Sequence, residues 1–307
     1  MSQSAVTPLF TDDVLARLRR VVLQSRRLAR TGLTGEHRSL RRGPSPEFAD
    51  YKAYTVGDDY RRIDWRVYAR FDSLYVRESE ITAEFDVHLL VDMSRSMDWS
   101  SAPDQPTKLR QALQLTGALA YLSLWHFDRV SITPIGSDAQ RRYGPVQGRS
   151  HTRSMLAWLE RLHTQSEADL TASMRRLVFE RRRPGILIVI SDFLSVDGDA
   201  LEQAMQGAIG RGWEVMLLQI ADPAEEDPSL LPELVRTHRA RDLETGTQLP
   251  IRADDASLAR YRERRAAWQE RLATLGSGAR SLHVPISTQL AVDQAMIRLL
   301  RNVGMVS

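Results

Sequence analysis

At 307 residues the chain is long enough for two domains, or for one large domain with an appendage, and its 42% hydrophobic and 26% charged residues are those of an ordinary globular protein. Zero cysteines exclude disulfides, thiolate nucleophiles and cysteine-ligated zinc, and the seven histidines are scattered without a pair at helical ligand spacing. The formal net charge of +3 is uneven: the first 45 residues hold nine arginines against Asp12, Asp13 and Glu36, a net of +6, so the remainder is mildly acidic and nucleic acid is a poor candidate for the main partner.

The opening "MSQSAVTPLF" lacks a basic start followed by an apolar stretch and a small-residue cleavage site, and no apolar run approaches the roughly 20 residues of a membrane span. A cytoplasmic location and no transmembrane segment are expected. "VLARLRRVVLQSRRLAR" predicts a helix with Leu15, Leu18, Val22, Ser25 and Leu28 near one face and arginines around the rest. Such a helix packs on its own domain and leaves a solvated basic face; a surface for nucleic acid or another acidic partner, or for an anionic membrane, is the rival reading. Residues 1–31 are taken as this basic helix. Residues 32–85, rich in Gly, Pro, Arg and Asp with strand-like pieces such as "SLYVRE", are taken as a small irregular subdomain, and residues 86–307 as the main domain.

From Asp86 the pattern alternates. "DVHLLVD" predicts a strand, Thr107 to Phe127 a long helix apolar almost all round, "RVSITPIG" a strand, and "RRYGPV" a short edge strand limited by Pro145. Helices are predicted over Ser154–His163 and Leu170–Arg183. "GILIVISDF" reads as a strand covered on both faces, followed by a helix closed by Gly210 or Gly212 and the strand "EVMLLQIAD". A hairpin turning near Glu244 to Gly246, a charged helix from Ala256 to Leu275, the strand "SLHVPI" and a last helix "LAVDQAMIRLLRNV" complete the series. The fold class this implies is α/β, a doubly wound and mostly parallel sheet, whose ligand crevice lies beyond the carboxyl ends of the strands where strand order reverses.

Two carboxylates, Asp92 and Asp192, each end a predicted buried strand on its carboxyl side. In "DMSRSM", Asp92, Ser94 and Ser96 alternate, so a tight loop can turn one carboxylate and two hydroxyls into one concavity. Hard oxygen donors suit Mg2+ or another hard divalent cation. The same residues also make Asx and Ser turns or cap a following helix, and the arrival of Asp192 at the same edge favours the cation. A second acidic group, Asp58, Asp59 and Asp64 among Arg61, Arg62 and Arg66, suits ion pairs and caps, with Trp65 as an apolar anchor. A metal-dependent phosphoester hydrolase using these acids or Asp92 is the rival; no serine or histidine accompanies the acids as a nucleophile and base, and no GxxxxGK[ST] occurs.

"DMSRSM" after an apolar strand resembles the metal-dependent adhesion site, DxSxS, of von Willebrand factor A domains. The segment "RRGPSPEFADYKAYTVGDDYRRIDWRVYARFDSLYVRESE", Arg41 to Glu80, together with "ISDF" and the "DLETG" turn, is similar to an uncharacterised bacterial family of such domains associated with MoxR-type AAA+ ATPases. The resemblance runs from about Gly32 to the C-terminus. It implies a von Willebrand A (Rossmann-like) main domain, a non-catalytic adaptor role, a MoxR-type AAA+ ATPase as partner and an acidic residue of a client protein completing the metal shell. It also implies that Asp92, Ser94 and Ser96 form a first metal loop and Asp192 a third. In the second loop a threonine is expected where Ala168 stands in "SEADLTASMRRL"; either Thr171, three residues on, substitutes by a local shift, or Asp169 contributes, or the site is degraded.

Overall fold

The computed structural model describes residues 8–30, 48–55, 60, 63–79, 85–136, 142–164, 169–181, 183–228, 239–241, 243, 247–250 and 254–302. They fall into two compact units, Met1–Gly35 with Phe85–Ser307, and Glu36–Glu84. The N-terminal helix α1 (Asp12–Arg30) belongs to the larger unit, where Leu18 and Val21 are buried in the core and Arg17 bridges Asp13 and Asp293. Of the face read from the sequence, Leu18 is buried and Leu15 packs partly against the core, Val21 beside that face is buried too, and the side chains of Val22, Ser25 and Leu28 lie outside the described residues.

The smaller unit pairs β1 (Phe48–Ala53) antiparallel with β2 (Tyr75–Ser79) and carries α2 (Trp65–Phe71) between them. Asp64 caps α2 by accepting a hydrogen bond from the Arg66 amide at 3.0 Å, and Asp72, in the left-handed region at φ 50°, ends it. Ile63 and Val76 are buried and bridge to each other, whereas Trp65 stays 62% exposed with its ring edge-on to Tyr68. The sequence of this segment predicts β2 but not α2, because its polar and aromatic residues lack a helical apolar stripe.

In the larger unit the order continues β3 (Asp86–Asp92), α3 (Lys108–Trp125), β4 (Arg129–Ile135), β5 (Tyr143–Gln147), α4 (Thr152–Leu159), α5 (Leu170–Glu180), β6 (Ile186–Ser191), α6 (Gly198–Gly210), β7 (Glu214–Ala221) and α7 (Pro223–Glu226). A short hairpin of β8 (Arg239–Arg241) with β9 (Gln248–Pro250), then α8 (Asp255–Leu275), β10 (Ser281–Ser287) and α9 (Val292–Asn302), follow. The main sheet runs β10-β7-β6-β3-β4-β5. Every neighbouring pair is parallel except β4 with β5, the antiparallel edge strand. Counted within this sheet alone, the strands take the order 3-2-1-4-5-6, so the direction of winding reverses between β3 and β6. Among the described residues no helix is long and apolar enough to cross a membrane.

Strand periodicity divides the interior into two cores. Leu89 and Val91 of β3, Ile188 and Ile190 of β6, and Leu218 and Ile220 of β7 face α1, α3, α4 and α9. Leu90, Leu187, Val189, Val215 and Leu217 point the other way, toward α5, α6 and α8. Gly212, at φ 89°, closes the turn after α6 by donating its amide to the Ile209 carbonyl at 2.9 Å; of the two glycines read from sequence as the stop, it is the one with the left-handed conformation.

His88 breaks the apolar run of β3 and is buried in this second layer, edge-on to Trp213 with ring centroids 5.2 Å apart. Its Nδ1 has no hydrogen-bond partner among the described residues. Burial, then the charges of Arg181 and Arg142, lower its pKa from 6.5 to about 4. A histidine held neutral in the fold stabilises nothing extra above its unfolded pKa and costs stability as pH falls through 6.5 toward 4. The wild-type chain is therefore expected to lose about 3 kcal/mol over that window from this residue, and His88→Phe to flatten the loss in urea titrations at stepped pH.

Candidate functional site

The register sets the carboxyl edge. Val91 of β3 pairs with Ile190 of β6, so Asp92 stands level with Ser191 and Asp192 follows one residue on, at the point where winding reverses. The two acids are 100 residues apart in sequence and reach one rim because both strands run the same way. Asp92 Oδ2 accepts the Ser191 hydroxyl at 2.5 Å and Oδ1 accepts the Ser94 amide at 2.9 Å; the Ser94 and Ser96 hydroxyls lie 3.0 Å apart. Asp92 is 4% exposed. Burial raises its pKa, the nearby Asp192 charge raises it further, and the hydrogen bonds from Ser191 and Ser94 oppose both.

After β6 the backbone turns sharply at Phe193, a buried residue at φ 56°. A bulky residue in the left-handed region stores of order 1 kcal/mol or more, held here by the packing of its ring in the second core. The turn presents Asp192, whose Oδ1 accepts the Leu194 amide at 3.0 Å and whose Oδ2 accepts Lys108 Nζ at 2.6 Å. Lys108 opens α3, is 1% exposed, and also reaches Glu225 Oε1 at 2.5 Å. Burial pulls the Lys108 pKa down, but the charges of Asp192 and Glu225 outweigh it and the net direction is upward, so the ammonium stays charged. Glu225 in turn completes a capping box at α7: Asp222 accepts the Ala224 amide, and Glu225 Oε2 accepts the Asp222 amide at 3.3 Å. Asp222 Oδ2 also accepts the Ser101 amide at 3.0 Å, which anchors the loop after Ser96.

The structure thus brings together Asp92, Ser94, Ser96 and Asp192. Thr171 stands apart from them in hydrogen bonding: its hydroxyl donates to Asp169 Oδ1 at 3.0 Å in the first turn of α5, and Asp169 caps that helix through the Ala172 amide at 2.8 Å. Ala168, Asp58, Asp59, Arg61 and Arg62 lie outside the described residues, and Asp64 is engaged as the cap of α2. Lys108, Ser191, Asp222 and Glu225 belong to the edge without having been read from sequence. A signal for Lys108 was present: a cation in the first turn of a nearly all-apolar helix opposes the helix dipole unless carboxylates meet it.

No group of three or more His, Cys, Asp or Glu side chains gathers as a metal cluster among the described residues. A hard-cation site of the kind read from sequence rests instead on two carboxylates and two hydroxyls, and one observation fits it. Asp92 is a buried carboxylate whose hydrogen-bond partners among the described residues, Ser191 and Ser94, are neutral, and burying a charge without an opposite one is costly. Among the described residues, the Lys108 ammonium pairs with Asp192 and Glu225 and not with Asp92.

An uncharacterized protein of Mycobacterium tuberculosis and another of Mycobacterium bovis are each 29% identical to this chain over 227 residues, covering 73% of it and 69% of their own lengths. Among solved structures, that of an uncharacterized membrane spanning protein from Vibrio fischeri is similar over 72% of this chain and 98% of its own, at 12% identity and a TM-score of 0.23. The family model described as protein of unknown function DUF58 matches residues 50–271, well over half of the sequence, and the chain belongs to that family.

Proposed function

We propose that the chain is a non-catalytic, von Willebrand A-like adaptor that grips an acidic side chain of a partner protein through a hard divalent cation at the β3/β6 edge. The partner class is a MoxR-type AAA+ ATPase or a client it remodels. The observation that carries this reading is the convergence of Asp92, Ser94, Ser96 and Asp192 at the reversal point of a doubly wound sheet, the place where such folds bind ligands. Ser94 and Ser96 would hold the ion, Asp92 and Asp192 would ligate it directly or through water, and Mg2+ would keep a position open for the partner's carboxylate. Thr171 and Asp169, already bonded to each other, are the weakest members of the donor set.

The reading is tested by pull-down of a MoxR-type ATPase from the same source on the tagged chain, with Mg2+ and with EDTA, comparing wild type with Ser94→Ala/Ser96→Ala. Recovery is expected to fall about tenfold or more both on chelation and in the double variant, as loss of a metal-bridged contact implies. Equal recovery under all conditions sinks the metal bridge.

A further inference from the structure

Lys108 is the residue at this edge that a set of hard-cation donors does not require. Its ammonium is as deeply buried as Asp192, and it bonds both Asp192 and Glu225 while the Trp99 ring lies 5.8 Å away. With Leu194 donating to Asp192 Oδ1, both oxygens of that carboxylate are engaged. Asp92 differs, since its hydrogen-bond donors among the described residues, Ser191 and Ser94, are neutral.

We propose that Lys108 is a resident counter-cation that sets the divalent-ion affinity of the edge. It occupies Asp192 and Glu225, confines a metal ion to the side of Asp92, Ser94 and Ser96, and keeps that ion loosely held by repelling it and by competing for Asp192. Two cations in a water-poor crevice repel more strongly than they would in bulk solvent. A loosely held ion gains most from one further carboxylate, so ion and acidic partner bind as a coupled pair, each raising the other's affinity. The tethered ammonium also keeps the edge assembled when no ion is present. This inference rests on the location proposed above for the ion, not on the identity of the partner.

The test is a calorimetric titration of the full chain with Mn2+, comparing wild type, Lys108→Met, Lys108→Met/Glu225→Gln, Ser94→Ala/Ser96→Ala, and the serine pair combined with Lys108→Met. Lys108→Met is expected to bind Mn2+ about tenfold or more tightly than wild type, the size that removing one like charge from a partly dry site supports. Mn2+ should then raise its melting temperature more than that of wild type. The Lys108→Met/Glu225→Gln chain, which also deletes a carboxylate left without its cation, should show the same tightening even if the single variant folds poorly. The serine changes should remove binding in both backgrounds. Mn2+ binding by wild type that the serine changes abolish, but that neither folded Lys108 variant tightens, overturns the role of Lys108 and leaves the proposed function standing. No Mn2+ binding by any folded chain overturns both.

Discussion

Chelator-treated Lys108→Met is expected to unfold with about 3–5 kcal/mol less free energy than wild type, the usual result of removing one partner from a buried ion pair. The methylene stem is retained, so the loss reports on charge: Asp192, 1% exposed, and Glu225 would be left in the interior without a cation. Urea denaturation in EDTA measures it as a shift in midpoint at constant slope. Asp192→Asn and Glu225→Gln, added together to Lys108→Met, should recover most of the loss, because a neutral trio no longer buries uncompensated charge. The wild-type midpoint should change little with salt, since a pair this well buried is poorly screened. A cost under about 1 kcal/mol for the single change would place the triad among the energetically indifferent ion pairs and remove the argument that the ammonium holds the edge together.

Trp213→Ala is expected to cost a similar amount by a different route. The indole is 1% exposed in the second core, and its truncation leaves a cavity that a close-packed interior fills only in part, typically about 3–5 kcal/mol. The distinguishing feature is its pH dependence. The indole packs against the His88 ring, so opening the cavity admits water and lets the imidazole pKa rise from about 4 toward 6.5. Wild type loses stability as pH falls through that window, whereas Trp213→Ala loses less, and the gap between them should narrow from about pH 7.5 to about pH 5. Combination with His88→Phe should be non-additive, as expected of two residues in contact. A gap of constant size at both pH values would show that the titrating group lies elsewhere.

The main sheet was legible because its strands obey simple rules. The continuous Val, Ile and Leu run of β6, and the apolar runs of β3 and β7 interrupted by His88 and Gln219, announce burial on both faces, and intervening helices dictate parallel neighbours. Even the edge strand could be read, since Pro145 confines "RRYGPV" to a margin, although the paired residues are Tyr143–Gln147. The carboxyl-edge position of Asp92 and Asp192 followed from the same logic. What sequence does not expose is which charges meet across 84 and 117 residues of separation, as Lys108 does with Asp192 and Glu225. Helix α2 was hidden for a related reason: its aromatic residues Trp65, Tyr68 and Phe71 are exposed rather than buried, so the pattern that advertises a helix is missing. Thr171 shows a local competition that periodicity cannot rank, because the hydroxyl takes the nearby Asp169 cap.

The rim between β3 and β6 is assembled from pieces scattered from Asp92 to Glu225, joined by contacts that loop closure makes slow to form. A nascent chain that has finished β3 and α3 owns the serines and the lysine, yet has no Asp192 or Glu225 to set them against. A protein that docks at this rim, as proposed above, would meet a finished surface only after β6, β7 and α7 have all joined, so its binding would tell a completed rim from a half-made copy.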